Sequence, residues 1–187
     1  MIKKLLIVSA VTFSLLVMAF SYAEASMPAG DNTYVGVKTC GMCHKKDADG
    51  NQLAKWEGSK HAKAFTVLAS DEAKKIAKEK GIADAQKAEE CLTCHAIGYQ
   101  AGAKVDKKFA VEDGVQCETC HGAGSEYKSM KTMKDHAAAV AAGLIDFSKE
   151  GSIEAQCKKC HNEKSPTFKG FDFAKKWAEI AHNVPKG

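Results

Sequence analysis

All eight cysteines of this chain occur in one repeated pattern, two cysteines separated by two residues and followed directly by histidine. The four copies are Cys40-Gly-Met-Cys43-His44, Cys91-Leu-Thr-Cys94-His95, Cys117-Glu-Thr-Cys120-His121 and Cys157-Lys-Lys-Cys160-His161, called here the first to fourth motifs. This pattern is the attachment signature of c-type haem. Each thiol adds to one vinyl group of the porphyrin, and the adjacent histidine binds the iron as its proximal ligand. The sequence therefore predicts four covalently bound haem c groups.

Other uses of paired cysteines explain the pattern less completely. Zinc ribbons contain such pairs, but a zinc site gives no reason for a histidine after every second cysteine. A thioredoxin-like redox site needs a single pair within a βαβ unit, of which the sequence shows no sign. A disulfide framework suits a secreted chain with eight cysteines, yet it does not require the histidines.

The first 25 residues have the features of a signal peptide. Lys3 and Lys4 precede an almost uninterrupted apolar run over residues 5–20, and Ala23-Glu24-Ala25 has the small-residue pattern of a signal peptidase site. A retained membrane anchor is the alternative, although the run is at the lower limit of about 20 residues for spanning a bilayer. We expect cleavage after Ala25 and no stable membrane insertion afterwards. The protein would then be periplasmic, with an extracellular location as the alternative.

The remaining residues, 26–187, form little protein for four porphyrins, which predicts that the haems themselves supply most of the core. The expected fold is mainly α, a single compact multihaem cytochrome c domain. Short helices would wrap round four closely packed haems, with little or no sheet. All 27 basic residues are lysine, and the formal net charge is +4 before the haem propionates are counted. Nothing in this balance supports nucleic-acid binding.

Helical patterns occur between the motifs. They predict helices over residues 51–68 with a break at Gly58, over 70–81 with Ser70 as N-cap, over 126–142, and over 171–182 before Pro185. Strand signals are weak, and only residues 104–111 suggest a short hairpin arm.

Three of the seven histidines lie outside the motifs, and we predict that His61, His136 and His182 are distal iron ligands. Four bis-histidine irons would need eight histidines, so the chain is one short. The remaining distal position could be filled by a methionine, by a neighbouring molecule's histidine, or by nothing. The methionines after the signal peptide are Met27, Met42, Met130 and Met133. Met42 lies within its own attachment loop, and Met130 and Met133 suit packing against a haem. An open, five-coordinate iron is therefore the preferred interpretation.

These residues resemble the tetrahaem cytochromes of the cytochrome c-554 family over most of the chain after the signal peptide. The segments that carry the resemblance are Tyr34-Val-Gly-Val-Lys-Thr-Cys40, Trp56-Glu-Gly-Ser-Lys-His61-Ala-Lys-Ala, Cys94-His95-Ala-Ile-Gly98-Tyr99, Gly114-Val-Gln-Cys117, Cys120-His121-Gly-Ala-Gly124, Lys134-Asp-His136 and Ile180-Ala-His182. The histidine-bearing segments are the specific part, because the motifs alone indicate any multihaem cytochrome.

The resemblance implies an almost all-α fold with three bis-histidine haems and a five-coordinate haem at the second motif. By position, His136 would face the His44 haem, His182 the His121 haem and His61 the His161 haem, which leaves the His95 haem open. Pro166 and Phe168 are candidates for the lining of that open pocket, and core or loop packing explains them equally well. This chain differs from the nitrifier members by a shorter stretch between His161 and His182 and by lacking a long tail.

Three functions remain under consideration. The first, which we prefer, is an electron carrier, not an enzyme. By resemblance, its partners would be an octahaem hydroxylamine oxidoreductase-like donor and a membrane-bound acceptor. The second is a small reductase of nitric oxide or another nitrogen oxide at the open iron. The third is a subunit of a cytochrome wire in which neighbours donate ligands. Sharing ligands in a homopolymer leaves the histidine count per subunit unchanged, so it would not supply the missing histidine.

Lysine pairs such as Lys74/Lys75 and Lys175/Lys176 are either docking sites for an acidic partner or solvated helix faces.

Overall fold

The computed structural model describes residues 32–97 and 103–182, which contain all four motifs. The predicted signal peptide and the residues Met27, Gly98, Tyr99 and Pro185 lie outside the described residues. Within them the chain forms nine short α-helices: α1 (Val37–Gly41), α2 (Gln52–Glu57), α3 (Asp71–Glu79), α4 (Glu89–His95), α5 (Cys117–His121), α6 (Met130–Met133), α7 (His136–Ala141), α8 (Ser152–Lys158) and α9 (Phe173–Ile180). Four 3-10 turns join them: Asp47–Asp49, His61–Lys63, Thr66–Ala69 and Val111–Asp113.

The mainly α fold class is confirmed, since this part of the chain contains no strand longer than one isolated bridge. That bridge joins Tyr34 to Val105 in parallel, with Tyr34 N donating to Lys104 O at 2.8 Å. The hairpin considered for residues 104–111 does not form. The backbone near residue 104 pairs instead with the segment before the first motif, and Phe109 N donates to Asp106 O to close a turn.

Helix positions follow the sequence signals where a capping residue or glycine marks the end. Helix α2 stops before Gly58 as expected, and Ser70 caps α3 by accepting from Ala73 N at 3.2 Å. The single helix predicted over 126–142 is wrong. It divides into α6 and α7 because Asp135 adopts an extended backbone and its carboxylate caps Ala138 N at 3.0 Å.

The last helix is shorter than predicted. Asp172 caps α9, and the helix ends at Ile180, so His182 lies just beyond it. No helix in residues 32–97 or 103–182 has the length and apolar character needed to cross a bilayer.

The apolar core is small and lies round the second motif. Its buried members are Leu68, Ala77, Ala85, Leu92 and Ala96, with Cys91 packed against them. Elsewhere the largest fully buried side chains include two polar ones, Gln116 and Glu118. Chains of this length normally enclose many more large apolar side chains. The scarcity fits a fold that leaves space for bound apolar groups.

Candidate functional site

Each motif lies on a helix or on the turn that ends one. Helix α5 is the third motif itself, and α4 ends at His95. In the first motif, His44 N donates to Cys40 O at 3.1 Å, and in the fourth, His161 N donates to Cys157 O at 3.0 Å. A helical turn places residues i, i+3 and i+4 on one face. Both thiols and the imidazole of a motif can therefore meet the same group, which is the requirement for haem attachment.

The thiols of different motifs contact each other. The Cys40 thiol donates to Cys117 Sγ, which raises the pKa of Cys40 and lowers that of Cys117. Cys160 lies in hydrogen-bond contact with Cys94, and burial together with Cys94 raises the pKa of Cys160 to about 12. All eight cysteines are free thiols, so no disulfide competes with attachment.

These contacts define an order of the motifs that differs from their order in the chain. The first motif meets the third through Cys40, and the second meets the fourth through Cys94. The third motif lies beside the fourth, because Gln156 Nε2, next to Cys157, donates to Thr119 O at 2.7 Å. The spatial order is therefore first, third, fourth, second.

Two of the three histidines outside the motifs face a motif histidine. The ring centroids of His61 and His161 are 6.1 Å apart, and those of His121 and His182 are 6.0 Å apart. Two imidazoles that bind one metal ion from opposite sides have centroids about 6 Å apart, because each metal–nitrogen bond is about 2 Å and each centroid lies roughly 1 Å behind its nitrogen. Both pairs thus have the spacing that a bis-histidine iron requires.

The third histidine, His136, has different surroundings. It is the first residue of α7, its side chain is exposed, and its Nε2 lies 3.8 Å from Asp146 Oδ1. In the described part of the chain neither His44 nor His95 faces another histidine ring. The pairing of His136 with His44 stays a prediction.

Hydrogen bonds orient several of these rings. His95 Nδ1 lies 2.7 Å from Ala64 O, and His182 Nδ1 lies 3.2 Å from Ile180 O. A carbonyl oxygen can only accept, so Nδ1 carries the proton and Nε2 keeps its lone pair for a metal. His44 Nδ1 lies 3.2 Å from Gln52 Oε1 in a similar arrangement.

Burial favours the neutral form of three of these imidazoles, His61, His121 and His161. It lowers the pKa of His121 to about 4, and it lowers the pKa values of His61 and His161 as well. The neutral ring is the ligand form. The His161 ring also stacks on Phe171, with centroids 4.8 Å apart. This contact covers the face of the imidazole and leaves the nitrogens at its edge free.

Pro166 and Phe168, considered for a pocket over His95, line two separate cavities. Phe168 borders a cavity of about 520 Å³ together with His161 and Phe171. Pro166 borders another of about 510 Å³, opposite the Ile76 face of α3. Neither of these cavities is lined by His95.

Sequence reasoning missed two buried polar residues at the third motif, Gln116 and Glu118, each only 2% exposed. The two central positions of the attachment pattern tolerate many residues, so a glutamate there gives no signal of burial. It also did not predict that the backbone of Gly114 adjoins His61. No group of three or more histidine, cysteine or acidic side chains among the described residues is arranged to hold a metal ion by protein ligands alone.

Each motif places two thiols and an imidazole on one helical turn, and the helical chain around the motifs has only a small apolar core. These features define a c-type cytochrome. The family model described as cytochrome c554 and c-prime matches residues 39–122. Cytochrome c-554 of Nitrosomonas europaea is 28% identical over 163 residues, which cover 81% of this chain and 67% of that relative. No solved structure matches the chain. These matches support a cytochrome c-554 family protein, as the sequence indicated, and with it a haem electron-transfer protein that binds haem c covalently.

Proposed function

We propose that this chain is an exported tetrahaem carrier that passes electrons between redox partner proteins. Residues 1–25 would be removed on export to the periplasm, and residues 26–187 would carry one haem c at each motif. The observation that supports this most directly is the contact between thiols of different motifs. Cys40 touches Cys117, and Cys94 touches Cys160, so the attachment sites adjoin one another.

The order of the motifs suggests a route through the protein. Each haem, when bound, supplies a one-electron couple between ferric and ferrous iron. The chain's part is to hold these groups close together and to fix their ligands. Because the spatial order is first, third, fourth and second, the first and second motifs lie at the two ends. We infer that partner proteins meet the carrier near these ends.

The proposed ligands follow from the facing rings. His182 would complete the coordination at His121, His61 that at His161, and His136 that at His44. Bis-histidine ligation favours low reduction potentials, whereas a methionine ligand raises them. These ligands suit a carrier between low-potential partners. An octahaem hydroxylamine oxidoreductase-like donor and a membrane-bound acceptor are the partners that we propose by family resemblance.

The cofactor load tests this proposal directly. Intact-mass spectrometry of the purified exported protein should give the mass of the chain from Ser26 plus four haems, with no thiol free to react with an alkylating reagent. As a matched control, a Cys43→Ala and His44→Ala double variant should lose one haem while retaining three. A wild-type mass with fewer haems, or with zinc, would contradict the tetrahaem proposal.

A second candidate function is the reduction of nitric oxide at the second motif. The observation that favours it is that His95 faces no histidine ring in the described residues, while its Nδ1 is oriented by Ala64 O. A ligand-free distal side would allow a small molecule to bind there.

We expect the ferrous protein to bind nitric oxide at one haem of four, seen as a change in about a quarter of the absorbance of the haem bands. Multiple turnovers with a chemical reductant should be absent or slow, because no proton-donating side chain is established at His95. Fast turnover at this haem would favour the reductase over the carrier. Four six-coordinate irons in the same preparation would contradict the open position.

A further inference from the structure

Glu118 lies inside the third motif and is almost completely buried. Its Oε1 accepts from Val35 N at 2.9 Å and from Gly124 N at 2.7 Å. Its Oε2 accepts from Gly36 N at 2.8 Å and from Val35 N at 3.1 Å. Three backbone N–H groups therefore surround the carboxyl group.

The contacts indicate an ionised side chain. Every group that binds Glu118 is a donor, and a protonated acid would need an acceptor for its own hydrogen. Three amide donors directed at two oxygens are a typical setting for a carboxylate. The ion pairs found among the described residues involve other side chains, so backbone amides rather than a lysine hold this charge. Burial, and after it the charge on Glu118, raise the pKa values of Tyr34 and Tyr127.

The position of Glu118 joins two haem sites. It follows Cys117 directly, and Cys117 contacts Cys40 of the first motif. Its amide partners Val35 and Gly36 immediately precede α1, which carries Cys40. The carboxylate thus lies where the first and third motifs meet.

Holding this segment does not require a charge. Gln116, two residues earlier, binds the same segment as a neutral side chain, with its Oε1 accepting from Val37 N at 2.8 Å and its Nε2 donating to Ala110 O at 2.8 Å. A neutral side-chain amide therefore binds the N–H group of Val37, whereas a carboxylate binds the N–H groups of Val35 and Gly36. The difference between them is the buried negative charge.

We propose that Glu118 is a fixed internal anion that lowers the reduction potentials of the haems at the first and third motifs. The inference rests on the proposed function, since it assumes that both motifs carry haem. Reduction adds one electron to the iron and lowers its charge from three to two. A nearby negative charge stabilises the more positive ferric state and so opposes reduction. Because the charge is buried, solvent and salt screen it weakly.

The test is a Glu118→Gln variant, studied by spectroelectrochemical titration of the loaded protein. Two of the four midpoint potentials should become more positive. At the potential where the wild-type haems are half reduced, the ratio of reduced to oxidised haem should rise about tenfold, which corresponds to about 59 mV for a one-electron couple.

Two control variants separate charge from structure. Glu126→Gln removes an exposed carboxylate a few residues away and should leave all four potentials unchanged. Gln116→Ala removes the neighbouring buried hydrogen bonds without changing charge, and it should lower thermal stability but not shift the potentials. If Gln116→Ala shifts the same two potentials as Glu118→Gln does, the effect is structural and the proposal is wrong.

Intact mass keeps this proposal separate from the tetrahaem function. A wild-type protein with four haems and a Glu118→Gln variant with four haems but unchanged potentials would overturn the role of Glu118 alone. If the Glu118→Gln variant does not bind its haems, the test is made on the wild-type protein. Two of its midpoint potentials should stay constant as ionic strength rises, whereas a marked change of all four potentials would assign them to screened surface charges and overturn the proposal.

Discussion

Replacing His61 by alanine should convert one iron from low spin to high spin while its haem stays attached. The His61 ring lies 6.1 Å from that of His161, the spacing of two ligands on one metal ion. Alanine cannot reach the metal, so the iron keeps one histidine and becomes high spin. Electron paramagnetic resonance of the oxidised protein should show one low-spin signal fewer and one high-spin signal more. Intact mass should show that all the haems remain.

Lys63→Ala is a matched control, because Lys63 lies on the same 3-10 turn and has an exposed side chain. It should leave the spin count unchanged. His182→Ala should behave like His61→Ala, since the His182 ring is 6.0 Å from that of His121. An unchanged spin count in either histidine variant would show that the histidine is structural and would remove it from the ligand set.

Gly114→Ala should strongly destabilise the protein and disturb the same ligand. Gly114 has a φ of 71°, a region that side chains disfavour, and an added Cβ would lie 2.8 Å from His61 O and 3.3 Å from Ala64 N. These are backbone atoms, so relief requires movement of the His61 turn. The backbone strain alone costs about 1–3 kcal/mol, and the contact adds to it. For a domain of this size we expect a fall in melting temperature of roughly 5–10 °C.

Gly81→Ala provides the comparison for this variant. Gly81 has a φ of 70°, but an added Cβ would meet nothing within 4 Å. It should therefore show the backbone cost alone, about 1–2 kcal/mol, and no change of spin state. Equal losses of stability in the two variants would mean that the contact with the His61 turn has no effect.

The sequence predicted those parts of the site that are local in the chain. The motifs specify both thiols and the proximal histidine within five residues, and Ser70 marks the start of α3 through one side-chain bond. Counting histidines predicted a distal role for His61 and His182, and both face motif histidines. The helical pattern gave a wrong prediction at Asp135. The alanine-rich run after this residue suggests that one helix continues through it, whereas the aspartate caps the start of a new helix.

The contacts between distant segments could not be predicted in this way. The pairing of the first motif with the third depends on residues 77 positions apart, and no local pattern encodes which motifs meet. The burial of Glu118 depends on amides of residues 35, 36 and 124. Such a site arises only when the segments before the first motif and after the third pack together.

The 61–64 turn would contribute to two of the proposed haem centres at once. His61 lies at its start and faces His161, while Ala64 at its end accepts from His95 Nδ1 at 2.7 Å. Val115 N also binds His61 O at 3.1 Å, which fixes the turn to the segment before the third motif. One piece of backbone therefore holds both the ring proposed as the distal ligand of one haem and the ring proposed as the proximal ligand of another. Any fluctuation of this turn would move both rings together, so we expect coordination at the second and fourth motifs to vary in a correlated way.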